Sequence, residues 1–357
     1  MLVEGAILDR DGSRRAAVRL RSGLVVEVGL PGTLRKRADE RRVRGIVVPS
    51  PVNAHTHLGD AVSTVEPPTG PVESLVASPD GYKFRLLRER SSSEKIRAMR
   101  SALRRARREG VVTLVDFREE GASGVRLRRR AARGSRVRTL ILGRPLARPV
   151  DPAELLNVLE LGDGIGLSSA RDESVETREL VARACRRTRK KFALHASEAV
   201  REAPDSFLRP RPDLLVHLAV ATRDDLRTVA EAKVAVAVCP RSNALFQRQP
   251  DLQGMEQVGL RMMLGTDNAM FHAPSIWREL EFAYVATRLR GRPVSAEYLA
   301  RSALVEPYEW LGTPDAASIA AGSPAIPLVL RLPADDPAYQ VVTRTTEHLM
   351  IRPDRVG

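Results

Sequence analysis

Short apolar and β-branched runs alternate with segments of helical periodicity, and this alternation restricts the possible folds more than any other feature. Eight runs stand out: the one ending at His55, followed by Val111–Phe117, Val137–Gly143, Gly164–Ser168, Phe192–His195, Leu214–His217, Val234–Cys239 and Arg261–Thr266. Between most of them, apolar residues recur every three or four positions. Strands that alternate with helices predict a parallel sheet, because parallel neighbours need a crossover connection.

The clearest helical segment is Ser91–Gly110. Ser91 and Glu94 have the spacing of a capping box, and Gly110 suits the position just after a helix. One apolar stripe is formed by Ile96, Met99, Leu103 and Ala106. Asp172–Thr188 and Thr222–Lys233 show a similar pattern, so all three predict helices.

His55 and His57, two of the six histidines, are separated by one residue at the end of the first run. Residues i and i+2 of a strand point to the same face, so both imidazoles can reach one metal ion. His195, His217 and Asp267 stand at or just past the ends of later runs. Alone, each has an ordinary structural explanation, such as a satisfied core histidine or a helix-capping aspartate. In this order they predict a metal site.

The positions of these residues favour a closed barrel over an open, doubly wound sheet. They follow the first, fifth, sixth and eighth runs, and only a barrel gathers those strand ends around one mouth. We therefore predict an α/β fold with a (β/α)8 TIM-type barrel over residues 46–317. Extended runs in residues 1–45 and 318–357 predict a small β domain built from both termini. The long Pro/Gly-rich connection Gly59–Ser91 could cover the barrel mouth.

The chain is strongly basic, with a formal net charge of +14. Such a charge favours anionic partners, and an arginine-rich segment makes a nucleic-acid-binding protein on an inactive barrel the alternative from another functional class. Aromatic residues make up only 4%, and no nucleic-acid-binding motif appears, which argues against it. The arginines of that segment are Arg126, Arg128, Arg129, Arg130, Arg133, Arg136 and Arg138.

The sequence contains no apolar run long enough to span a membrane and no secretory signal at Met1–Asp9. Two cysteines, Cys185 and Cys239, do not make a disulfide framework. We expect a cytoplasmic protein without membrane partners.

Five stretches together resemble the amidohydrolase superfamily of metal-dependent hydrolases. The chain is most similar to the branch that contains cytosine, guanine and methylthioadenosine/S-adenosylhomocysteine deaminases and the related chlorohydrolases. Gly110–Phe117 also resembles the second strand of that family. The five stretches are Val48–Leu58, His195–Glu198, Val216–His217, Cys239–Asn243 and Leu264–Asp267.

The resemblance implies the barrel, with the terminal β domain forming a β-sandwich, and a single divalent metal ion, zinc or alternatively iron. The implied ligands are His55, His57, His195 and Asp267. His217 would position water or substrate, and Glu198 would carry a proton to a ring nitrogen. Asp267 could also take a proton from the attacking water. Residues 164–171 lack the lysine that two-metal branches often use, which favours one metal.

The expected reaction is attack of metal-activated water on a ring or amide carbon, most simply the deamination of a purine, pyrimidine or pterin-like heterocycle. Hydrolysis of a cyclic amide, as in imidazolonepropionase-like proteins, is the alternative within the superfamily. The sequence leaves open whether the chain forms a homo-oligomer. Candidate substrate-binding residues are Asp60, Lys83, Arg85, Arg241, Asn243 and His272.

Overall fold

The computed structural model describes residues 1–77, 79–345 and 350–351. Within this part of the chain the strands are β1 (Leu2–Asp9), β2 (Gly12–Arg21), β3 (Leu24–Gly29), β4 (Arg42–Pro49), β5 (Val52–His57), β6 (Thr113–Arg118), β7 (Arg138–Gly143), β8 (Gly164–Ser169), β9 (Lys191–Ala196), β10 (Leu214–His217), β11 (Ala235–Val238), β12 (Met262–Leu264), β13 (Asp267–Asn268), β14 (Pro327–Leu330) and β15 (Met350–Ile351).

The α-helices of the same residues are α1 (Val72–Val76), α2 (Tyr82–Glu89), α3 (Ser92–Arg108), α4 (Gly121–Ala132), α5 (Pro152–Leu161), α6 (Val175–Thr188), α7 (Pro204–Leu208), α8 (Arg223–Glu231), α9 (Pro240–Leu245), α10 (Leu252–Gln257), α11 (Ile276–Leu289), α12 (Ala296–Leu304), α13 (Glu306–Trp310) and α14 (Pro337–Arg344). The capping box predicted for α3 is confirmed, because Ser91 Oγ accepts from the Glu94 amide and Glu94 accepts from the Ser91 amide. The apolar stripe of α3 is buried as predicted.

The chain divides into two compact units. The first comprises Met1–Val52, Arg107–Val112 and Ile276–Gly357, and the second Asn53–Ala106 and Thr113–Ser275. The domain limits expected from the sequence, 1–45 with 318–357 and 46–317, stay a prediction. Residues 346–349 and 352–357 of the expected terminal domain lie outside the described residues.

In the first unit, both ends of the chain contribute to one six-stranded sheet in the order β15-β14-β4-β1-β2-β3. β1 pairs antiparallel with β2 and parallel with β4. A core of small aliphatic side chains covers this sheet; it includes Val3, Ile7, Val18, Val47 and Val329. All six described strands of the first unit belong to this one sheet.

The first apolar run is divided between the two units, whereas the sequence suggested one continuous strand. β4 pairs with β1 and β14, and β5 pairs in the second unit. Pro51 stands between them, and a proline has no N–H to continue a hydrogen-bonded ladder. Ser50 instead donates its backbone N–H to the Ile326 carbonyl at 2.9 Å.

The second unit contains a curled, nine-stranded parallel sheet in the order β12-β11-β10-β9-β8-β7-β6-β5-β13. Most consecutive strands are neighbours with helices in the connections, as parallel pairing requires. β12 and β13 are separated by only two residues, yet they pair with strands at opposite ends of this order. The arrangement is an α/β fold consistent with a TIM-type barrel.

The two edges of this sheet meet at Gly265 and Thr266. The Gly265 amide donates to the Val238 carbonyl of β11 at 2.9 Å, and the Thr266 amide donates to the His55 carbonyl of β5 at 2.8 Å. A Cβ on Gly265 would lie 2.6 Å from the Cβ of His55, so this close approach requires glycine.

The connection after β5 is not an irregular loop. It contains a 3-10 helix, Leu58–Val62, followed by α1 and α2. Gly59 lies within the 3-10 helix, whereas the prolines of this connection stand outside the helices and Gly81 caps the start of α2. No helix of the described residues is both long and apolar enough to cross a lipid bilayer.

Candidate metal centre

Four imidazoles converge at the carboxyl ends of the strands in the second unit. His55 and His57 lie on β5, His195 on β9, and His217 at the end of β10. The ring centroids of His55, His57 and His195 lie within 5.6 Å of one another, and the His217 ring is 5.3 Å from that of His195. All four rings are buried. The histidines that are scattered in the sequence therefore form one cluster.

Asp267 brings a carboxylate to this cluster. Its Oδ1 lies 3.3 Å from His55 Nε2 and 3.5 Å from His57 Nε2. Its Oδ2 accepts a hydrogen bond from Ser242 Oγ, which fixes the rotation of the carboxylate. Asp267 and His217 both have left-handed backbone conformations, with φ of 55° and 79°. Such conformations are costly for residues other than glycine and often occur at functional sites.

The donor atoms fit one metal ion. Donors bound to the same zinc ion at 2.0–2.2 Å in tetrahedral geometry are about 3.4 Å apart, which is close to the two separations from Asp267. Both ring nitrogens of His55 are buried without a hydrogen-bond partner. Three overlapping groups each have their donor atoms within 4.8 Å: His55, His195 and His217; His55, His57 and Asp267; and Glu198, His217 and Asp267.

Hydrogen bonds to the second ring nitrogen distinguish His195 from His217. His195 Nδ1 lies 2.9 Å from the Leu167 carbonyl, so it carries the proton and leaves Nε2 free to bind a metal. His217 Nδ1 lies 3.2 Å from the amide nitrogen of Asn243 and accepts from it. Neutral His217 therefore carries its proton on Nε2, 3.5 Å from Glu198 Oε1. A protonated Nε2 suits a hydrogen-bond donor better than a metal ligand.

Burial shifts the pKa values of the imidazoles in the direction that metal binding requires. It lowers the pKa of His55 and of His57 to about 4, and that of His195 well below its ordinary value. Burial opposes ionisation of Asp267, but the His55 ring, 3.3 Å away, and the other nearby imidazoles hold its pKa well below the usual range. Neutral imidazoles and an ionised carboxylate are the metal-binding forms.

The pKa of Glu198 is shifted in the opposite direction to that of Asp267. Glu198 follows β9, is half-buried and lines the same cavity as His57, His195 and Asp267. Burial raises its pKa, and the nearby Asp267 carboxylate acts in the same direction. A carboxyl group whose pKa is raised toward neutrality can both give and take a proton.

A buried charged network supports His57 from the side away from Asp267. Glu119 Oε1 lies 2.7 Å from His57 Nδ1, and Lys83 contacts the same carboxylate. Lys83 Nζ also lies 3.3 Å from Asp60 Oδ2 and 3.3 Å from Asn268 Oδ1. Carboxylates in this position orient a metal-binding imidazole and increase its basicity.

Comparison with known proteins agrees with this arrangement. The profile of the family described as "Amidohydrolase family" matches residues 212–352. A protein of Methanothermobacter thermautotrophicus named "Putative aminohydrolase" is 30% identical over an alignment of 356 positions, and the alignment covers 91% of this chain and 90% of that protein. The chain belongs to the amidohydrolase family. It is therefore a metal-dependent hydrolase that acts on carbon–nitrogen bonds.

Solved structures share the fold of this amidohydrolase. A zinc-bound adenosine deaminase from Xanthomonas campestris has a TM-score of 0.76 at 18% identity, over 99% of this chain and 91% of that one. A zinc complex of atrazine chlorohydrolase from Arthrobacter aurescens TC1 has a TM-score of 0.76 at 18% identity, over 99% and 94%. Guanine deaminase from C. acetobutylicum, with guanine in its active site, has a TM-score of 0.75 at 11% identity, over 98% and 97%.

Of the residues predicted to bind substrate in this amidohydrolase, Lys83 lines the cavity, whereas Asp60 is buried beside it in the charged network. Asn243 contacts His217 instead of the cavity. Arg241 and His272 bind each other at 2.8 Å, away from the cavity lining.

Arg85 lies outside the site. It is exposed, and its guanidinium donates to the Asp80 carbonyl at 2.6 Å.

Three residues near the site were not predicted from the sequence: Glu119, Ser242 and Arg144, which lines the same cavity. Glu119 and Arg144 directly follow β6 and β7, so the strand-end rule that found the histidines could have found them. Ser242 lies within a stretch quoted for the family resemblance, but a serine there has no distinguishing spacing.

Proposed function

We propose that this amidohydrolase deaminates an aminated heterocycle of purine, pyrimidine or pterin type. His55, His57, His195 and Asp267 would hold one divalent ion, zinc in preference to iron. The observation that carries the proposal is the convergence of these donors in a buried cavity that also contains Glu198. The adenosine and guanine deaminases that share the fold support a heterocyclic substrate.

A divalent ion held there would lower the pKa of a water molecule from 15.7 to about 7. Glu198 would receive the proton of this water and transfer it to the ring nitrogen beside the reacting carbon. Its raised pKa suits both transfers, since the ideal pKa of an acid–base catalyst lies near the operating pH.

His217 would donate from Nε2 to the oxygen on which negative charge develops. Asn243 holds the ring in the necessary tautomer by donating to Nδ1. Preorganised donors of this kind typically contribute ~10²- to 10³-fold to the rate. His217 would thus position and stabilise, and the ligand role would belong to His195.

We extend the proposal to the fold and to where the protein acts. We infer a complete (β/α)8 barrel, supported by the hydrogen bonds of Gly265 and Thr266 to β11 and β5. We also infer that the six-stranded sheet belongs to a β-sandwich, and that the protein acts in the cytoplasm.

The decisive experiment combines metal analysis with an ammonia-release screen. Purified protein should contain about one zinc or iron per chain, and a panel of purines, pyrimidines and pterins should contain at least one substrate that releases ammonia. Asp267→Ala should lose metal and activity together. Ring opening without ammonia would favour the cyclic-amide alternative, and a metal-free wild-type protein that cannot be reconstituted would contradict the proposal.

A further inference from the structure

We infer that the substrate carries an acidic group, a carboxylate or a phosphate, and that Arg144 binds it. The inference rests on the proposed function only in taking the cavity beside the metal-site residues as the substrate pocket. It adds a substrate class that the metal centre itself does not specify.

Arg144 is placed at the functional end of the sheet. It directly follows β7, and β6 and β9, which position Glu119 and His195, end at the same side. The Arg144 side chain lines the cavity together with His57, His195 and Glu198. Only 8% of the residue is exposed, so its guanidinium faces the cavity rather than open solvent.

The guanidinium of Arg144 has no counter-ion in the described chain. Its Nε donates to the Gly166 carbonyl at 3.3 Å, and neither terminal nitrogen makes a hydrogen bond to the described residues. No carboxylate oxygen of those residues lies within 4.0 Å of it. Burial lowers the pKa of Arg144, but arginine keeps its proton in proteins.

The other buried cations near this cavity are neutralised. Lys83 contacts Asp60 and Glu119, Arg118 lies 3.4 Å from Glu119 Oε2, and Arg128 Nε donates to Asp116 at 2.6 Å. Arg178 also has only a carbonyl partner, but it does not line the cavity.

The acids that act electrostatically on Arg144 include Glu119, Glu173 and Asp172, each of which lies beside another cation; Asp172 Oδ1 is 3.8 Å from Arg171 Nε. Glu173 pairs with Arg148, and Glu119 pairs with Lys83 and approaches His57. Burying a charge is unfavourable unless an opposite charge pairs with it. The planar fork of a guanidinium matches a carboxylate or a phosphate bidentately, so an acidic ligand entering the cavity meets a preformed site.

The test compares matched acidic and neutral ligands on zinc-loaded protein at fixed ionic strength, by titration calorimetry. The pairs are pterin-6-carboxylate with pterin, and guanosine 5′-monophosphate with guanosine; benzoate and inorganic phosphate serve as probes without the ring. We expect wild-type protein to bind the acidic member of one pair about 10- to 100-fold more tightly, the range that charge-assisted hydrogen bonds supply. The pair that shows the preference identifies the acid as carboxylate or phosphate.

Arg144→Gln should abolish the preference and leave binding of the neutral member unchanged. Arg85→Gln, which removes an exposed arginine outside the site, should retain it. Zinc content and thermal melting check that each variant is folded, and Arg144→Lys, which keeps the charge without the fork, should retain part of the preference.

The inference is overturned if no acidic member or probe binds more tightly than its neutral counterpart, or if Arg144→Gln and Arg85→Gln reduce the preference equally. A preference that depends on Arg144 in a protein that releases no ammonia from any compound would leave this inference standing and refute the proposed deamination.

Discussion

The two carboxylates of the metal centre differ in what determines their pKa. Burial dominates the pKa of Glu198, whereas the charged and hydrogen-bonded partners of Asp267 dominate its pKa. The pKa of Glu198 is raised and that of Asp267 is lowered, so only Glu198 suits proton transfer. We predict that Glu198→Gln retains one metal ion per chain and loses ~10²- to 10⁴-fold in kcat, the usual contribution of a general acid–base. Loss of metal from this variant would show that Glu198 is a ligand instead.

His272 should contribute to acid destabilisation. Burial, reinforced by Arg241, lowers its pKa to about 4 from the ordinary value of 6.5. Between these values the unfolded chain binds more protons, so the free energy of unfolding falls as pH falls from 6.5 toward 4, by at most ~1.4 kcal/mol per pH unit for this group. His272→Asn, whose Oδ1 can still accept from Arg241, should show a shallower decline in urea titrations across that range. An unchanged slope would mean that His272 is protonated in the folded state.

Lys83 and Arg85 show how far residue type alone predicts a site. Both were candidates for substrate binding, but they lie two positions apart on α2 and so face different directions. Lys83 is buried against Glu119, and Arg85 is exposed. The sequence suggested a loop in this region. It therefore did not indicate which of the two side chains would be on the buried face of a helix.

The order of the strands could be predicted from the sequence, but the residues at which they begin and end were less predictable. The run Leu214–His217 coincides with β10, whereas Arg261–Thr266 shortens to β12 because Gly265 and Thr266 bond to two different strands. The metal-site histidines were found because a strand end has a recognisable pattern. The division between β4 and β5 was missed because both are apolar, and pairing partners are not visible in a single sequence.

Helix α4 and strand β6 are joined by a buried ion pair that also holds the end of β5. Asp116 Oδ2 accepts from Arg128 Nε at 2.6 Å, and Asp116 Oδ1 accepts from the Leu58 amide at 2.8 Å, next to His57. We predict that Arg128→Met lowers the free energy of unfolding by about 3–5 kcal/mol, because it leaves a buried carboxylate unpaired. Urea denaturation would measure this loss.

Two variants serve as controls for that prediction. Arg129→Met changes an exposed neighbour on α4 and should stay within about 0.5 kcal/mol of wild type. Adding Asp116→Asn to Arg128→Met removes the unpaired charge and should recover much of the stability. A double variant as unstable as the single one would place the defect in packing rather than in charge.

The formal net charge of +14 raises a question separate from the chemistry of the metal centre, namely whether the protein binds an anionic partner. Arg126, Arg129, Arg130 and Arg133 are exposed on or next to α4. The nucleic-acid hypothesis built on them stays untested by the fold. Binding to tRNA or duplex DNA in a gel shift should weaken steeply as salt rises if phosphate contacts are involved.

Metal removal should affect the two units unequally, because all the donors of the metal centre lie in the second unit. A ligand at a thousand times its Kd stabilises the folded state by ~4.1 kcal/mol, and chelation withdraws that contribution. We predict that a chelator accelerates amide hydrogen exchange in β5, β9 and β10, while exchange in β1 and β2 of the first unit stays unchanged. The same chelator should have no effect on Asp267→Ala, which is expected to bind no metal. Equal acceleration in both sheets would show that the two units unfold as one, and unchanged exchange throughout would mean that the histidine cluster binds no stabilising ion.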